Sequence, residues 1–440
     1  MVKSSIRSWV ASLDDPLRDL IAGAGLTLLL RIFGAGIQFG FSIVVARIYA
    51  ADGLGIFTLS LSITVIASVL ARWGMDQTAL KLVAIHADRN QWKEVKVIQF
   101  KTLGCVVLFS CIITMIALVL VQWLGSRLEQ AELGSMVQWL ILAVLPFAGL
   151  NLLAECLRSV KQVAAYTLIQ SVLVPTIATL NIALWNHLGF GLAAAAYSYV
   201  IACYATFGGA VYWWRRFLNR QTMARTASGI SWKSLLETAT PMAWIAIIGT
   251  VMSFSETLLL GLFRSSDEVG VYSAALRLAM LLSFLNIAFN AVLAPNFAAL
   301  IRGHKTELAQ GLARKAAVIM LIAALPLVLG FTLFPGYFLW LFGGAFGSGS
   351  PALMILALGQ FVNVAMGPAG LLLMMGGHEK LLKQFTILAW LSSASLGLVL
   401  IPTYGTVGAA CSATLGIVML NLLAVYGVRK SMGIALITWS

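Results

Sequence analysis

The sequence predicts an all-α integral membrane protein, with about twelve transmembrane helices in two six-helix lobes related by a pseudo-two-fold axis along the membrane normal. Three observations predict it. Apolar residues make up 60% of the 440 and charged residues only 10%, with a mean hydropathy of +0.94. The apolar residues fall in runs long enough to cross about 30 Å of hydrocarbon as helices. The two halves of the chain also echo each other at a fixed offset. A soluble chain is about half apolar and a quarter charged. A soluble core of this size could not hide so much apolar surface, so lipid must cover it.

The runs lie at 21–49, 53–76, 99–124, 134–157, 164–186, 189–214, 234–263, 269–300, 314–335, 350–376, 381–402 and 405–428. The turns dividing the fifth span from the sixth (His187-Leu188-Gly189) and the eleventh from the twelfth (Pro402-Thr403-Tyr404-Gly405) are very short. The first run is too long for the h-region of a signal peptide and follows Lys3, Arg7 and Arg18, so it is expected to be a retained helix. Before it, Ile6, Val10, Leu13 and Leu17 recur at helical spacing, and Asp14-Asp15-Pro16 resembles a helix start. The N-terminal segment 1–20 can therefore be a short interfacial helix or a frayed tail.

Basic residues fix the direction. With the N-terminus inside, the inward segments hold 23 of the 29 lysines and arginines, the outward ones only Arg47, Arg127 and Arg264, and the spans Arg31, Arg72 and Arg277. This split on alternate loops is a positive-inside pattern and places both termini in the cytoplasm. The net charge of +13 is therefore spread over short loops rather than gathered in a nucleic-acid-binding domain. Five cysteines lie in or beside apolar runs with no CxxC pair, which argues against a disulfide framework or a metal site. No Walker A, HExxH or GxSxG sequence is present, so no cofactor and no soluble enzyme chemistry is expected.

The repeat joins Asp52-Gly53-Leu54-Gly55-Ile56-Phe57 to Asp267-Glu268-Val269-Gly270-Val271-Tyr272, 215 residues apart. A second echo joins Gly189, Ala193 and Ala194 to Gly405, Ala409 and Ala410 at 216. The offset spans six helices, an even number, so both copies share one orientation. This divides the chain into an N-terminal segment 1–20, an N-lobe 21–214, a basic cytoplasmic linker 215–233, a C-lobe 234–428 and a short cytoplasmic C-terminus 429–440. Two such lobes suit alternating access, and so a transporter.

Charges inside spans usually mark a cavity or a pair. Thr27, Arg31, Gln38 and Ser42 fall within one narrow arc of the first span, a polar stripe that must face protein or water. Such a stripe can line a central cleft in which Arg31 meets an anionic group, or Arg31 can make a structural contact. Arg72 and Asp76 are four residues apart and can pair near the inner end of the second span. Glu256 and Arg277 stand at similar depth on adjacent spans; they can form an ion pair, or bind a coupling cation and an anionic substrate respectively. Glu155 and Arg158 suggest an interfacial pair, and Asn286 and Asn290 an interhelical hydrogen bond. Pro146, Pro175, Pro241, Pro295, Pro326 and Pro368 lie within or near spans and are expected to kink them.

Three stretches of the first half carry a resemblance: Arg31-Ile32-Phe33-Gly34, then Ala46-Arg47-Ile48-Tyr49-Ala50-Ala51-Asp52-Gly53-Leu54-Gly55-Ile56-Phe57, then Ala71-Arg72-Trp73-Gly74-Met75-Asp76-Gln77. Glu256 to Gly261 and Val269-Gly270-Val271-Tyr272-Ser273-Ala274-Ala275-Leu276-Arg277 agree in the second half. This text resembles the polysaccharide-exporter and O-antigen flippase (Wzx-type) branch of the multidrug/oligosaccharidyl-lipid/polysaccharide (MOP) exporter superfamily. The motifs are soft, so they point to a family and not to a substrate. The resemblance implies a V-shaped pair of lobes in the bacterial cytoplasmic membrane. It also implies translocation, not catalysis: an oligosaccharide on undecaprenyl pyrophosphate moves from the inner to the outer leaflet. Arg31, Arg72 and Arg277 are then the candidates for the pyrophosphate, Gln38 for the glycan cleft, and Glu256 and Asp76 for ion coupling. Membrane lipids and other polysaccharide-assembly proteins are the implied partners. Lipid II flippases usually carry two further C-terminal helices, so twelve spans argue against that substrate. A multidrug exporter of the same superfamily would share the fold but is expected to carry more acidic groups in its cleft. A membrane glycosyltransferase or polymerase would need a large outer loop, and every outer loop here is short.

Overall fold

A computed structural model of the chain describes residues 15–125, 131–221, 231–303 and 305–436. Most of the expected N-terminal interfacial helix, Arg127, residues 222–230 of the basic linker and the last four residues lie outside the described residues. Those described are almost wholly helical, and ten helices are long and apolar enough to cross a membrane. Two of the ten are far longer than a bilayer needs: Asp15–Arg72 with 58 residues and Glu379–Met432 with 54. At ~1.5 Å per residue either would run about 80 Å or more if straight. Each is broken near its middle, at Ala50 (φ 57°, ψ −163°) and at Gly405 (φ 53°, ψ −125°). Read as two spans apiece, they are consistent with the twelve expected.

The breaks are built from local chemistry. Gly405 supplies a positive φ without a Cβ penalty, and Gly189 does the same between the fifth and sixth spans at φ 84°. The second sequence echo thus marks one backbone device used twice. Pro241, Pro295, Pro326 and Pro402 lie inside helices, whereas Pro368 and Gly367 (φ 66°) separate Ser350–Ala365 from Ala369–Met375 within the tenth span. Pro175 acts on the residues before it. It has no N–H to offer the Ser171 carbonyl four residues back, and its ring crowds that oxygen. The chain widens there into a π-helical turn, Leu168–Leu173, between Val163–Thr167 and Val174–His187.

By its contacts the chain forms two compact units, Met1–Phe41 with Ser60–Val251 and Ser42–Leu59 with Met252–Ser440. In the first unit the fourth span is central and largely buried, whereas the third is largely exposed. The third span therefore turns Phe100, Leu108, Ile112, Met115, Ile116 and Val119 outward, as a lipid-facing helix should.

In the second unit the first sequence echo becomes a contact. A Cβ on Gly55 would stand 1.8 Å from the Ser266 carbonyl oxygen and 2.9 Å from Gly270 N; one on Gly270 would stand 1.9 Å from the Ala51 oxygen and 3.0 Å from Gly55 N. Ala51 and Ser266 are themselves 215 residues apart. Such reciprocity is what a local two-fold axis between the repeated segments produces. Arg47 and Arg264, two of the three arginines expected outside, cap helix ends. Arg47 donates to the Trp340 and Leu341 carbonyls at 2.7 and 2.8 Å and lies 4.8 Å from the Trp340 ring centre. Arg264 donates to Thr403 O at 2.9 Å and Ile401 O at 3.3 Å, just before the Gly405 break, and pairs with Glu268 at 3.6 Å. Cations at carbonyl-rich helix ends are favourable, which gives both arginines a structural role.

Candidate functional site

In the first unit the helix Asp15–Arg72 stops at Arg72, Trp73 and Gly74 turn with φ of 42° and 70°, and Met75–Asp88 begins. Asp76 therefore occupies the first turn of a new helix, where the exposed N–H groups favour an anion. The expected Arg72–Asp76 pair forms across this break, at 3.2 Å, with both side chains largely buried. Gly74 makes the break possible: a Cβ there would stand 2.3 Å from the Ala239 oxygen.

Glu155 and Arg158 pair at 3.3 Å. They are not an isolated interfacial pair, because the buried Glu155 carboxylate also interacts electrostatically with Arg72 and Asp76. Arg158 lies 5.3 Å from the ring centre of Tyr166, and the Arg31 guanidinium reaches the Tyr166 hydroxyl. The cluster thus gathers three arginines, Arg31, Arg72 and Arg158, against two carboxylates, Asp76 and Glu155. Arg72 and Arg158 are taken by ion pairs. Arg31 is exposed and in none of the three ion pairs among the described residues. The arginines outnumber the carboxylates by one, and the unpaired one is the exposed Arg31.

The polar stripe of the first span divides. Arg31 and Gln38 are exposed, while Ser42 is buried in the second unit and accepts a hydrogen bond from Arg277 Nη1. The expected Glu256–Arg277 ion pair does not form: no carboxylate among the described residues lies within ion-pair distance of Arg277. Glu256 is held instead by hydroxyls. Its Oε2 lies 2.9 Å from Ser255 Oγ, which accepts from Trp390 Nε1 at 3.3 Å. Its Oε1 lies 2.7 Å from Ser393 Oγ, and Ser393 Oγ is also 2.7 Å from the Ser412 carbonyl oxygen. Ser393 has a single proton for two acceptors.

Sequence reasoning passed over Tyr166, Gln170, Trp390, Ser393 and Ser412. It also passed over an amide ladder in which Asn421 Nδ2 donates to Asn363 Oδ1 and Asn363 Nδ2 to Gln360 Oε1, each at 3.1 Å. Polar residues inside apolar runs were the available signal; their partners lie up to 137 residues away, beyond helical periodicity. Among the described residues the buried Asn290 Oδ1 has no hydrogen-bond partner, so the expected interhelical bond is not made there by that oxygen. Among the described residues no three histidines, cysteines or carboxylates group as metal ligands.

Residues 20–301 match a known family described as polysaccharide biosynthesis protein. Comparison with the curated proteins gives no match. Among solved structures, the chain is similar to an inward-facing multidrug resistance MATE family transporter of the MOP superfamily. The TM-score is 0.75 at 16% identity, over 93% of this chain and 98% of that one. It is similar to the lipid II flippase MurJ in an inward closed conformation, with TM-score 0.73 at 12% identity, over 92% of this chain and 87% of that one. A MOP superfamily transporter from Pyrococcus furiosus gives 0.66 at 16% identity, over 94% and 96%. At these identities the likeness establishes the fold.

Proposed function

The chain belongs to the polysaccharide biosynthesis protein family, and from that premise we propose that it is a flippase for a polyprenyl-pyrophosphate-linked oligosaccharide. It works in the bacterial cytoplasmic membrane with both termini inside, by alternating access of the two lobes 21–214 and 234–428. The positive-inside pattern supports the orientation. The similarity to a lipid II flippase supports the cargo class. A hydrated path takes the sugar, an arginine takes the phosphate, and the polyprenyl tail stays in lipid.

The observation that carries the reading is the uncompensated charge of the first unit. Three arginines face two carboxylates, and the exposed Arg31 is left for an anion from outside the protein. Guanidinium forks match phosphate oxygens in two-point contacts. Arg277, without a carboxylate, is assigned the same role in the second unit, and Gln38 a place beside the glycan. Arg72 and Asp76 serve mainly to hold each other. Glu256 is the coupling group: it is a carboxyl inside a span held by the Ser255 and Ser393 hydroxyls rather than by an arginine, which fits exchange of a cation for cargo.

The test is leaflet assay of polyprenyl-linked oligosaccharide, with surface glycan, in a deletion strain restored with wild type, Arg31→Ala or Arg31→Lys. Wild type is expected to restore both, Arg31→Lys partly, and Arg31→Ala little at normal membrane levels. Equal restoration by all three removes Arg31 from the mechanism. Unchanged lipid and glycan in the deletion strain favours the second reading, a cation-coupled multidrug or metabolite exporter, for which the likeness to a multidrug resistance transporter is the supporting observation.

A further inference from the structure

The fifth span carries a polar side chain that the pyrophosphate reading leaves unused. Gln170 is exposed, although it lies six residues inside the span, about 9 Å along the helix. A carboxamide at that depth is costly against acyl chains, so this face meets water or a polar ligand. Gln170 sits on the π-helical turn Leu168–Leu173, and such turns recur at functional sites because they re-aim a side chain. In an α-helix Gln170 would be rotated about 40° from Tyr166, four residues earlier; the wider turn advances less per residue and brings the two closer to alignment.

Tyr166 is the residue that Arg31 reaches. The first and fifth spans touch one turn further on, where a Cβ on Gly34 would stand 2.6 Å from the Ser171 carbonyl oxygen. Arg31 and Gln170 therefore border one patch of the first unit. The carboxamide is also positioned. Gln170 Nε2 donates to Asn151 Oδ1 at 3.4 Å, and the buried Asn151 is fixed by its own bond to Phe147 O at 2.7 Å. The other N–H and the Oε1 acceptor of Gln170 make no hydrogen bond among the described residues. A donor beside an acceptor matches a sugar hydroxyl, which both donates and accepts; a phosphate only accepts.

We infer that Gln170 binds the sugar nearest the pyrophosphate, holding its hydroxyls while Arg31 holds the phosphate. This rests on the flippase reading, and the experiment separates the two. Wild type, Gln170→Ala, Gln170→Met and Arg31→Ala are purified whole and reconstituted in nanodiscs. Binding is measured for two probes: the oligosaccharide lipid accumulated by the deletion strain, and undecaprenyl pyrophosphate without sugar. Gln170→Met keeps the length and bulk of the side chain and guards against a packing defect. Both Gln170 variants are expected to weaken the glycosylated lipid about tenfold, the scale of one or two uncharged hydrogen bonds, and to leave the sugar-free lipid unchanged. Arg31→Ala is expected to weaken both. Unchanged binding of the glycosylated lipid, or equal loss of both probes, in Gln170→Met overturns the inference while leaving the flippase reading intact. Failure of wild type to bind either probe overturns the flippase reading and the inference with it.

Discussion

Adding one methyl group to Gly55 tests whether the sequence repeat is also a structural two-fold. The Cβ of Gly55→Ala would meet the Ser266 carbonyl at 1.8 Å, against the 3.0 Å that real contacts essentially never undercut, so the backbones must part by at least 1.2 Å. The obstacle is backbone, which no rotamer change can clear. Overpacking at such a site costs about 1–3 kcal/mol, or a factor of roughly 5 to 150 in an equilibrium constant. Gly270→Ala meets Ala51 O at 1.9 Å and should cost the same. Because both substitutions widen one contact, the double variant should lose less than the two single losses combined. Gly104→Ala is the control: nothing lies within 4 Å of its Cβ position, and alanine is the better helix former by about 1 kcal/mol. Thermal unfolding of the purified proteins in one detergent reads all four. The reasoning predicts lower and similar midpoints for Gly55→Ala and Gly270→Ala, sub-additivity in the pair, and an unchanged or raised midpoint for Gly104→Ala. An unchanged midpoint in Gly55→Ala, or an additive loss in the pair, refutes it.

Two further predictions concern the charged groups. Arg72→Ala strands the buried Asp76 and leaves Glu155 with Arg158 alone; breaking a buried pair this way costs about 3–5 kcal/mol. It should lower membrane yield and thermal midpoint, whereas Arg31→Ala should lower transport only, and equal midpoints in the two would contradict the division of roles. Glu256→Gln keeps hydrogen-bonding oxygen and nitrogen for Ser255 and Ser393 but has no proton to release. In proteoliposomes it should bind cargo normally and lose transport driven by a pH gradient; wild-type coupling in this variant would exclude Glu256 as the proton carrier.

The parts of this protein legible in its sequence are those governed by solvent. Hydrocarbon demands helices of about twenty apolar residues, so the spans could be read from composition, with broken turns where Gly405 and Gly189 stand. What was illegible depends on which helix faces which. Arg72 and Asp76 paired at their helical spacing, though across a break at Gly74 rather than along one helix. Glu256 had an obvious arginine nearby in sequence and took hydroxyls from Ser255 and Ser393 instead. Neutral hydroxyls satisfy a half-buried carboxyl without desolvating a second charge, and nothing in a linear pattern ranks a serine 137 residues away above an arginine 21 residues away.

The repeat bridges the two kinds of information. An offset of 215 in the text became a mutual contact of Gly55 with Ser266 and of Gly270 with Ala51. A symmetric contact requires the same small residue twice, because any Cβ added on one side has a counterpart on the other. The glycines of the echo are therefore explained by contact geometry rather than by turn propensity, since neither carries a positive φ. The same duplication does not extend to the charges. Arg31, Arg72 and Arg158 gather in the first unit with two carboxylates, while Arg277 stands in the second without one. Under the flippase proposal, a shared scaffold with unequal charges gives the first unit most of the anion recognition and leaves Glu256, the proposed coupling group, in the second.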